Sequence, residues 1–384
     1  MMHSLNTHTH LKSYVEAVMA VVDQTIRQAG LHPEQERLLL ARSGTHRPEA
    51  TKVLAHPLAP FYLAVRAHGA LVGRDAEALG AGFLLFNRAL TLTDAVQDDE
   101  LAGPYEEHGS EVAINCGLTL FFLALDTLWA AERAGPLAAW DLRSSLRINA
   151  LRLSRGQHRD LSGRGYLRTP AEVLDIAVEK SAICTLLMEF AAIYAASVAP
   201  ERFHVDLALY RTIGDALAQI QQITDDLTDL FGPSDSQDLR TGTWNVPLTI
   251  LLHTMPEAAR AQRAASLRTA HKDEVCRLLY DTQALHQVAA VTEAARIRIH
   301  QTFSQLPCGG PYLAMLLAWL DDLVAILYPP RVLNPSRDIS MADSATLHPA
   351  DAALFEQLRA ARCAVQEAQK RHDHRQQASL GRSA

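Results

Sequence analysis

Apolar residues recur at three- and four-residue intervals along nearly the whole chain. No segment shows the sustained alternation with β-branched enrichment that a strand needs. That spacing lays an apolar stripe along each successive helix, so the chain is read as all-α. Helices are expected over 11–29, 33–42, 57–72, 75–98, 108–134, 138–160, 170–198, 203–231, 245–253, 256–268, 271–281, 284–305 and 310–328. The breaks fall at "GLHPE", "LVGRD", "ELAGPYEEHG", "AGPLA", "SGRGYLRTP", "VAPERF", "FGPSDSQ" and "LPCGGP", each carrying the glycine, proline or short polar residues that end helices. No repeat of solenoid period is present. After Pro329 the character changes, so a helical domain is expected over 1–330, followed over 331–384 by a linker, a short charged helix and a mobile tail.

Nearly half of the 384 residues are hydrophobic and the formal charge is −7, which fits a globular protein with a sizeable core. Basic residues are scattered and the net charge has the wrong sign for a phosphate backbone, so a nucleic-acid partner is not expected. The five cysteines are odd in number and none lies at metal-ligand spacing from another. With no basic flank and apolar core at the start, a cytoplasmic protein is expected. The stretches "AICTLLMEFAAIYAASVA" and "YLAMLLAWLDDLVAILY" approach membrane length, but Glu189 in the first and Asp321 and Asp322 in the second favour buried bundle helices over a span.

One segment resists the reading as plain core. In "QQITDDLTDLFG", Asp225 and Asp229 stand four apart on one helical face with Asp226 beside them, among Ile220, Ile223, Leu227 and Leu230. Carboxylates so placed repel each other, and burial would either protonate them or require a compensating cation. A solvated helix face is the plainer alternative. A second cluster closes the apolar run "AGFLLFNRALTLTDAVQDDE", where Asp94 and Asp98 are again four apart. Helical bundles build metal sites by facing such helices across a cavity, and oxygen ligands without histidine or cysteine suit magnesium holding a diphosphate.

The segment "ALAQIQQITDDLTDLFGPSDSQDLRTGTWNVPLTIL" resembles the second aspartate-rich region of the trans-isoprenyl diphosphate synthases, whose pattern runs through a glutamine and DDxxD to a later aspartate, G-K and T-x-x-P. Asp225, Asp226 and Asp229 match the acidic places, Gln221 the glutamine, Asp238 the later aspartate, Gly242 the glycine and Pro247 the proline. Upstream, "TLTDAVQDDE" is similar to the first DDxxD helix, "EHGSEVAINCGLTL" to the helix that follows, "SRGQHRDL" to G-Q-x-x-D at Gln157 and Asp160, and "EKSAICTLL" to K-T-x-x-L at Lys180 and Ser181. The resemblance spans roughly 50–255 in the right order. It implies an isoprenoid-synthase-type helical bundle with a central cavity, and a homodimer.

Four departures bear on function. "AHPLAP" places His56 and Pro57 where chain-elongating members carry the lysine and arginine that grip the second substrate's diphosphate. The arginine loop after the first acidic motif is absent. Ala95 stands in place of that motif's second aspartate, and Thr243 in place of the lysine of G-K. The resemblance therefore implies a class I terpene synthase: magnesium on Asp94, Asp98, Asp225, Asp226 and Asp229 ionises an allylic prenyl diphosphate. Lys180, Gln221, Arg240 and Gln157 contact the substrate, and Asp94, Asp225 and Lys180 are central to the chemistry. The alternatives are a prenyltransferase, either elongating or acting on a non-isoprenoid acceptor, and a non-catalytic regulatory subunit.

Overall fold

The computed structural model describes residues 2–44, 53–134, 142–196, 203–232 and 235–325, which form fifteen α-helices, one 3-10 turn and no strand. The expected segment over 331–384 lies outside the described residues. The chain divides into two compact units.

The first unit comprises the chain to Leu151 together with Ala182–Gly214 and Thr302–Trp319. It opens with α1 (Met2–Gln28), α2 (Pro33–Gly44), α3 (Ala59–Ala67), α4 (Arg74–Gln97) and α5 (Pro104–Ala134). Helix α1 begins nine residues earlier than the sequence suggests, and buried Thr7 carries the stripe of Leu11, Tyr14, Val15, Val18, Met19, Val22 and Ile26 back by one turn of that extension. That stripe packs on α4, where Tyr14 donates its hydroxyl to the Ala76 carbonyl at 2.9 Å. Close approach depends on small residues: a Cβ at Gly80 would meet Tyr14 Oη at 2.5 Å, and one at Gly82 would meet the Leu128 side chain of α5 at 2.5 Å. Helix α5 is broken at Gly109, whose φ of 82° glycine adopts freely.

Also in this unit, α8 (Ile183–Ala195) is buried from Thr185 to its end, as a core bundle helix should be. Its Glu189 accepts from Arg211 Nε at 2.5 Å and Asn149 Nδ2 at 3.1 Å, so the buried charge is both paired and hydrogen-bonded. Among the described residues one helix, α5, is long and apolar enough by length and composition to cross a membrane. It lies along α4 and is partly buried.

The second unit comprises Arg152–Ser181, Asp215–Gln301 and the chain from Leu320. It holds the end of α6 (Leu142–Ser162), α7 (Pro170–Lys180), the C-terminal half of α9 (Phe203–Phe231), α10 (Gln237–Thr241), α11 (Val246–His253), α12 (Glu257–Leu267), α13 (Lys272–Asp281), most of α14 (Ala284–Phe303) and the end of α15 (Gly310–Ala325). Its core joins Ile223, Leu227 and Leu230 of α9 to Trp244, to Leu248 and Leu251 of α11, and to Leu267, Val275, Leu279 and Val288. Each such side chain contributes about 1.5–3 kcal/mol by leaving water. Asp321 lies in an inter-helix contact, accepting from Arg296 Nη1 at 2.6 Å beside His300. The sequence's single helix over 170–198 is two helices, with α7 ending at Lys180 and capped by Ser181 at φ −102°.

Candidate active site

Helix α9 carries the acidic motif through the second unit, and its three aspartates have three different environments. Asp225 is exposed and accepts from Gln221 Nε2, one turn back, at 3.0 Å. Asp226 points inward at 5% exposure. Its Oδ1 accepts from Gln222 Nε2 at 2.8 Å, and its Oδ2 accepts from the backbone N–H of Val246 at 3.0 Å. Val246 is the first residue of α11, so Asp226 satisfies one of that helix's open donors and lies at the positive end of its dipole. Asp229 is half-buried and accepts from the Ser236 hydroxyl and, at 2.8 Å, from the Gln237 N–H, which fixes the start of α10.

The short α10 ends at Gly242, whose φ of 71° is the left-handed cap that favours glycine. Asp238, its first acidic residue, accepts from Asn245 Nδ2 at 2.7 Å, while Asn245 Oδ1 caps α11 by accepting from Leu248 N at 3.0 Å. The segment from Ser236 to Val246 is tied to α9 at both ends, by Asp229 at its start and Asp226 at its close.

Lys180 arrives from α7. A capping box at Thr169 and Glu172, with Pro170 at the first position, starts that helix, and Lys180 stands in its last turn, where a cation is favoured. Helix α6 comes close enough for a Cβ at Gly156 to meet Lys180 N at 2.5 Å, and this proximity brings Asp160 Oδ2 to 2.7 Å from Lys180 Nζ. Burial alone would lower the Lys180 ammonium, but Asp160 and, beyond it, Asp226 and Asp238 hold it well above its ordinary value. Burial pushes the Asp226 carboxyl up to about 8, reinforced by Asp238 and opposed by the Gln222 and Val246 hydrogen bonds and by Lys180. Burial likewise raises Asp238 to about 6, with Asn245 opposing and Asp229 adding to the rise. The result is an acid-rich pocket of charge with one ammonium in it. Ser181 extends the network, donating to Gln222 Oε1 at 3.1 Å.

Arg240 is exposed on α10 and donates to Gln237 Oε1, and Gln157 is half-buried on α6, one turn before Asp160. Thr243 is buried and shares a 2.9 Å hydrogen bond with Thr241, so no cation occupies that position. Sequence reasoning gave no role to Gln222, Ser236 or Asn245. The first was signalled by its four-residue spacing from Asp226, and the last by the helix-start pattern "NVP" before an apolar run.

In the first unit, Asp94 is exposed and Asp98 half-buried at the end of α4. Asp98 N bonds Asp94 O at 3.0 Å, Glu100 N bonds Ala95 O at 2.8 Å, and Asp99 sits at φ 57°, so the link to α5 is a tight closure without arginine. His56 is buried, its Nδ1 accepting from Leu58 N at 3.3 Å, and Pro57 beside it is exposed. Phe83, Phe86 and Phe190 are buried in the core of this unit, and Phe122 is 61% exposed.

The donor chemistry fits a hard cation. Asp94 with Asp98, and Asp225 with Asp229, each offer carboxylates one helical turn apart, and no three His, Cys, Asp or Glu side chains converge among the described residues. A pair of carboxylates suits magnesium, which completes its octahedron with water and substrate oxygens. Asp226, with both oxygens bonded inside the protein, braces α9 against α11.

A family model described as polyprenyl synthetase matches residues 73–282. No curated protein matches the chain. Among solved structures, a decaprenyl diphosphate synthase from Rhodobacter capsulatus aligns with TM-score 0.68 and 19% identity over 84% of this chain and 100% of that one. The heptaprenyl diphosphate synthase of Staphylococcus aureus gives 0.66 and 14% over 82% and 98%, and the geranylgeranyl pyrophosphate synthetase of Pyrococcus horikoshii gives 0.64 and 18% over 84% and 98%. At these identities the structures establish the helical fold.

Proposed function

We propose, from the premise that this chain belongs to the polyprenyl synthetase family, that it ionises an allylic prenyl diphosphate and transfers the prenyl group. The observation that carries the reading is Lys180. Its ammonium gives one hydrogen bond to Asp160 and retains further donors for diphosphate oxygens. Asp160 fixes the ammonium's position, and the surrounding carboxylates keep it charged over the whole working pH range.

Magnesium bound at Asp225 and Asp229 would neutralise the diphosphate and stabilise the leaving group's growing charge, and Asp94 with Asp98 offers a carboxylate pair for such an ion in the first unit. Gln221 holds Asp225 in one rotamer, and Ser236 with Gln237 holds Asp229, so both carboxylates are oriented before a ligand arrives. Exposed Arg240 on α10 supplies a second cation for the diphosphate. Asp226 acts through the backbone by tying α9 to the start of α11.

Family membership favours prenyl transfer, and the three solved structures named above are synthases of prenyl diphosphates. A class I terpene synthase is the second reading. It is favoured by buried His56 and exposed Pro57, and by the arginine-free closure after α4, which leave no basic grip for a second diphosphate at those positions. A homodimer fits the exposed stripe of Ile114, Leu118 and Phe122 on α5, residues four apart and 50–61% exposed.

Lys180→Ala and Asp225→Ala each reduce release of inorganic diphosphate from farnesyl diphosphate by at least about a hundredfold, with the helical circular dichroism unchanged. Wild-type release rates in both variants would exclude the assignment.

A further inference from the structure

The first unit contains a cluster of reactive side chains that the prenyl chemistry does not use. Cys308 follows α14 in "LPCGG", half-buried between exposed Pro307 and Gly309. The Gly309 N–H donates to the Ala67 carbonyl at 2.9 Å, which fastens this loop to the end of α3. There the Cys308 Sγ lies 3.6 Å from Nδ1 of His68, the residue that caps α3. On the other side of the ring, His68 Nε2 lies 3.5 Å from Asp206 Oδ2 on α9, both side chains being nearly fully buried. Tyr210, one turn beyond Asp206, brings its hydroxyl to 3.4 Å from His68 Nδ1 and 3.8 Å from Cys308 Sγ. The ring of Phe303 closes over Tyr210 with centroids 6.3 Å apart.

We propose that Cys308 is a nucleophilic thiol, activated by His68 and Asp206, and that it is a site of covalent modification by small soft electrophiles. The carboxylate of Asp206 faces Nε2 and so favours the tautomer with its proton there, leaving Nδ1 as the acceptor that faces the sulfur. The thiol proton passes to Nδ1, and Asp206 stabilises the imidazolium that forms. The thiolate then accepts from the Tyr210 hydroxyl. Burial, with Cys308 and Asp206 adding to it, holds that phenol well above its ordinary value, so it remains a donor. With an alkyl halide, the sulfur lone pair forms the carbon–sulfur bond, halide leaves with the carbon–halogen pair, and the proton stays on His68 until solvent takes it. Arg66, the neighbouring cation on α3, is turned to the Ala70 carbonyl and the Tyr312 hydroxyl.

The protein carries its own controls. Burial pushes the thiols of Cys116 and Cys276 up, against Tyr105 at the first and Lys272 at the second. Cys276 is half-buried like Cys308 but donates to the Leu230 carbonyl at 3.2 Å instead of facing an imidazole. Full-length protein is pulsed with iodoacetamide between pH 5.5 and 9, and each cysteine peptide is quantified by mass spectrometry. Cys308 reaches half-maximal labelling at a lower pH than Cys276, below the ordinary thiol range of about 8.5. Below that range the larger thiolate fraction, partly offset by the lower nucleophilicity of a more acidic thiol, leaves Cys308 several-fold faster than Cys276. His68→Gln moves the Cys308 midpoint up to the ordinary thiol range. A wild-type Cys308 midpoint in that range, or a midpoint unmoved by a folded His68→Gln, would overturn the proposal; should that variant not fold, the wild-type comparison of Cys308 with Cys276 decides alone.

Discussion

At the scale of single residues, the charge around Lys180 is unevenly shared. Asp160 takes its hydrogen bond, whereas Asp226, buried and bonded to Gln222 and Val246, contributes to its field from farther away. A carboxyl raised to about 8 in the fold binds its proton more tightly there than in the unfolded chain, where the ordinary value is about 4. Between those values the unfolded chain holds fewer protons, so stability falls as pH rises from about 4 to about 8. In chelator-treated protein Asp226→Asn therefore flattens that fall, by on the order of a few kcal/mol across the window, read as urea midpoints at pH 5 and pH 8. An equally steep fall in the variant would mean that the titrating group lies elsewhere.

At the scale of elements, the position of Lys180 depends on how closely α6 passes the end of α7. Gly156 permits that approach, and a methyl there would meet Lys180 N at 2.5 Å, Glu179 Cβ at 2.6 Å and Glu179 C at 2.7 Å. Backbone atoms cannot yield as a flexible side chain would, so Gly156→Ala destabilises the protein by about 1–3 kcal/mol in urea unfolding, despite the better helix propensity of alanine. Periodicity located nearly every helix, since one apolar stripe suffices to define it, and the four-residue spacing of Asp225 and Asp229 pointed to the proposed site. The break at Ser181 was not legible, because "EKSAICTLL" continues the apolar pattern without glycine or proline, and the turn is held by Ser181 donating across to Gln222. Helix α10 is five residues long, too short for a period, and depends on Asp229 accepting from Ser236 and Gln237. The inward turn of Asp226 has the same origin: its partner N–H belongs to Val246, twenty residues on.

At the scale of the whole molecule, self-association and chemistry are separable. The α5 stripe of Ile114, Leu118 and Phe122 is apolar and exposed, and a charge placed there meets a cost only if another chain covers it. In the homodimer proposed above, Leu118→Glu therefore shifts the protein toward monomer in sedimentation velocity, with the helical circular dichroism retained. An unchanged mass would remove α5 from the interface. The central claim is that this family member keeps the machinery for ionising an allylic diphosphate. The most direct test incubates the purified chain and magnesium with geranyl, farnesyl and geranylgeranyl diphosphates, each with and without isopentenyl diphosphate, and reads products by gas chromatography and mass spectrometry after phosphatase treatment. Consumption of an allylic diphosphate with release of inorganic diphosphate is the predicted result, longer chains formed only with isopentenyl diphosphate marking prenyl transfer and cyclic products without it marking a terpene synthase. Intact allylic diphosphates in every incubation would contradict the account.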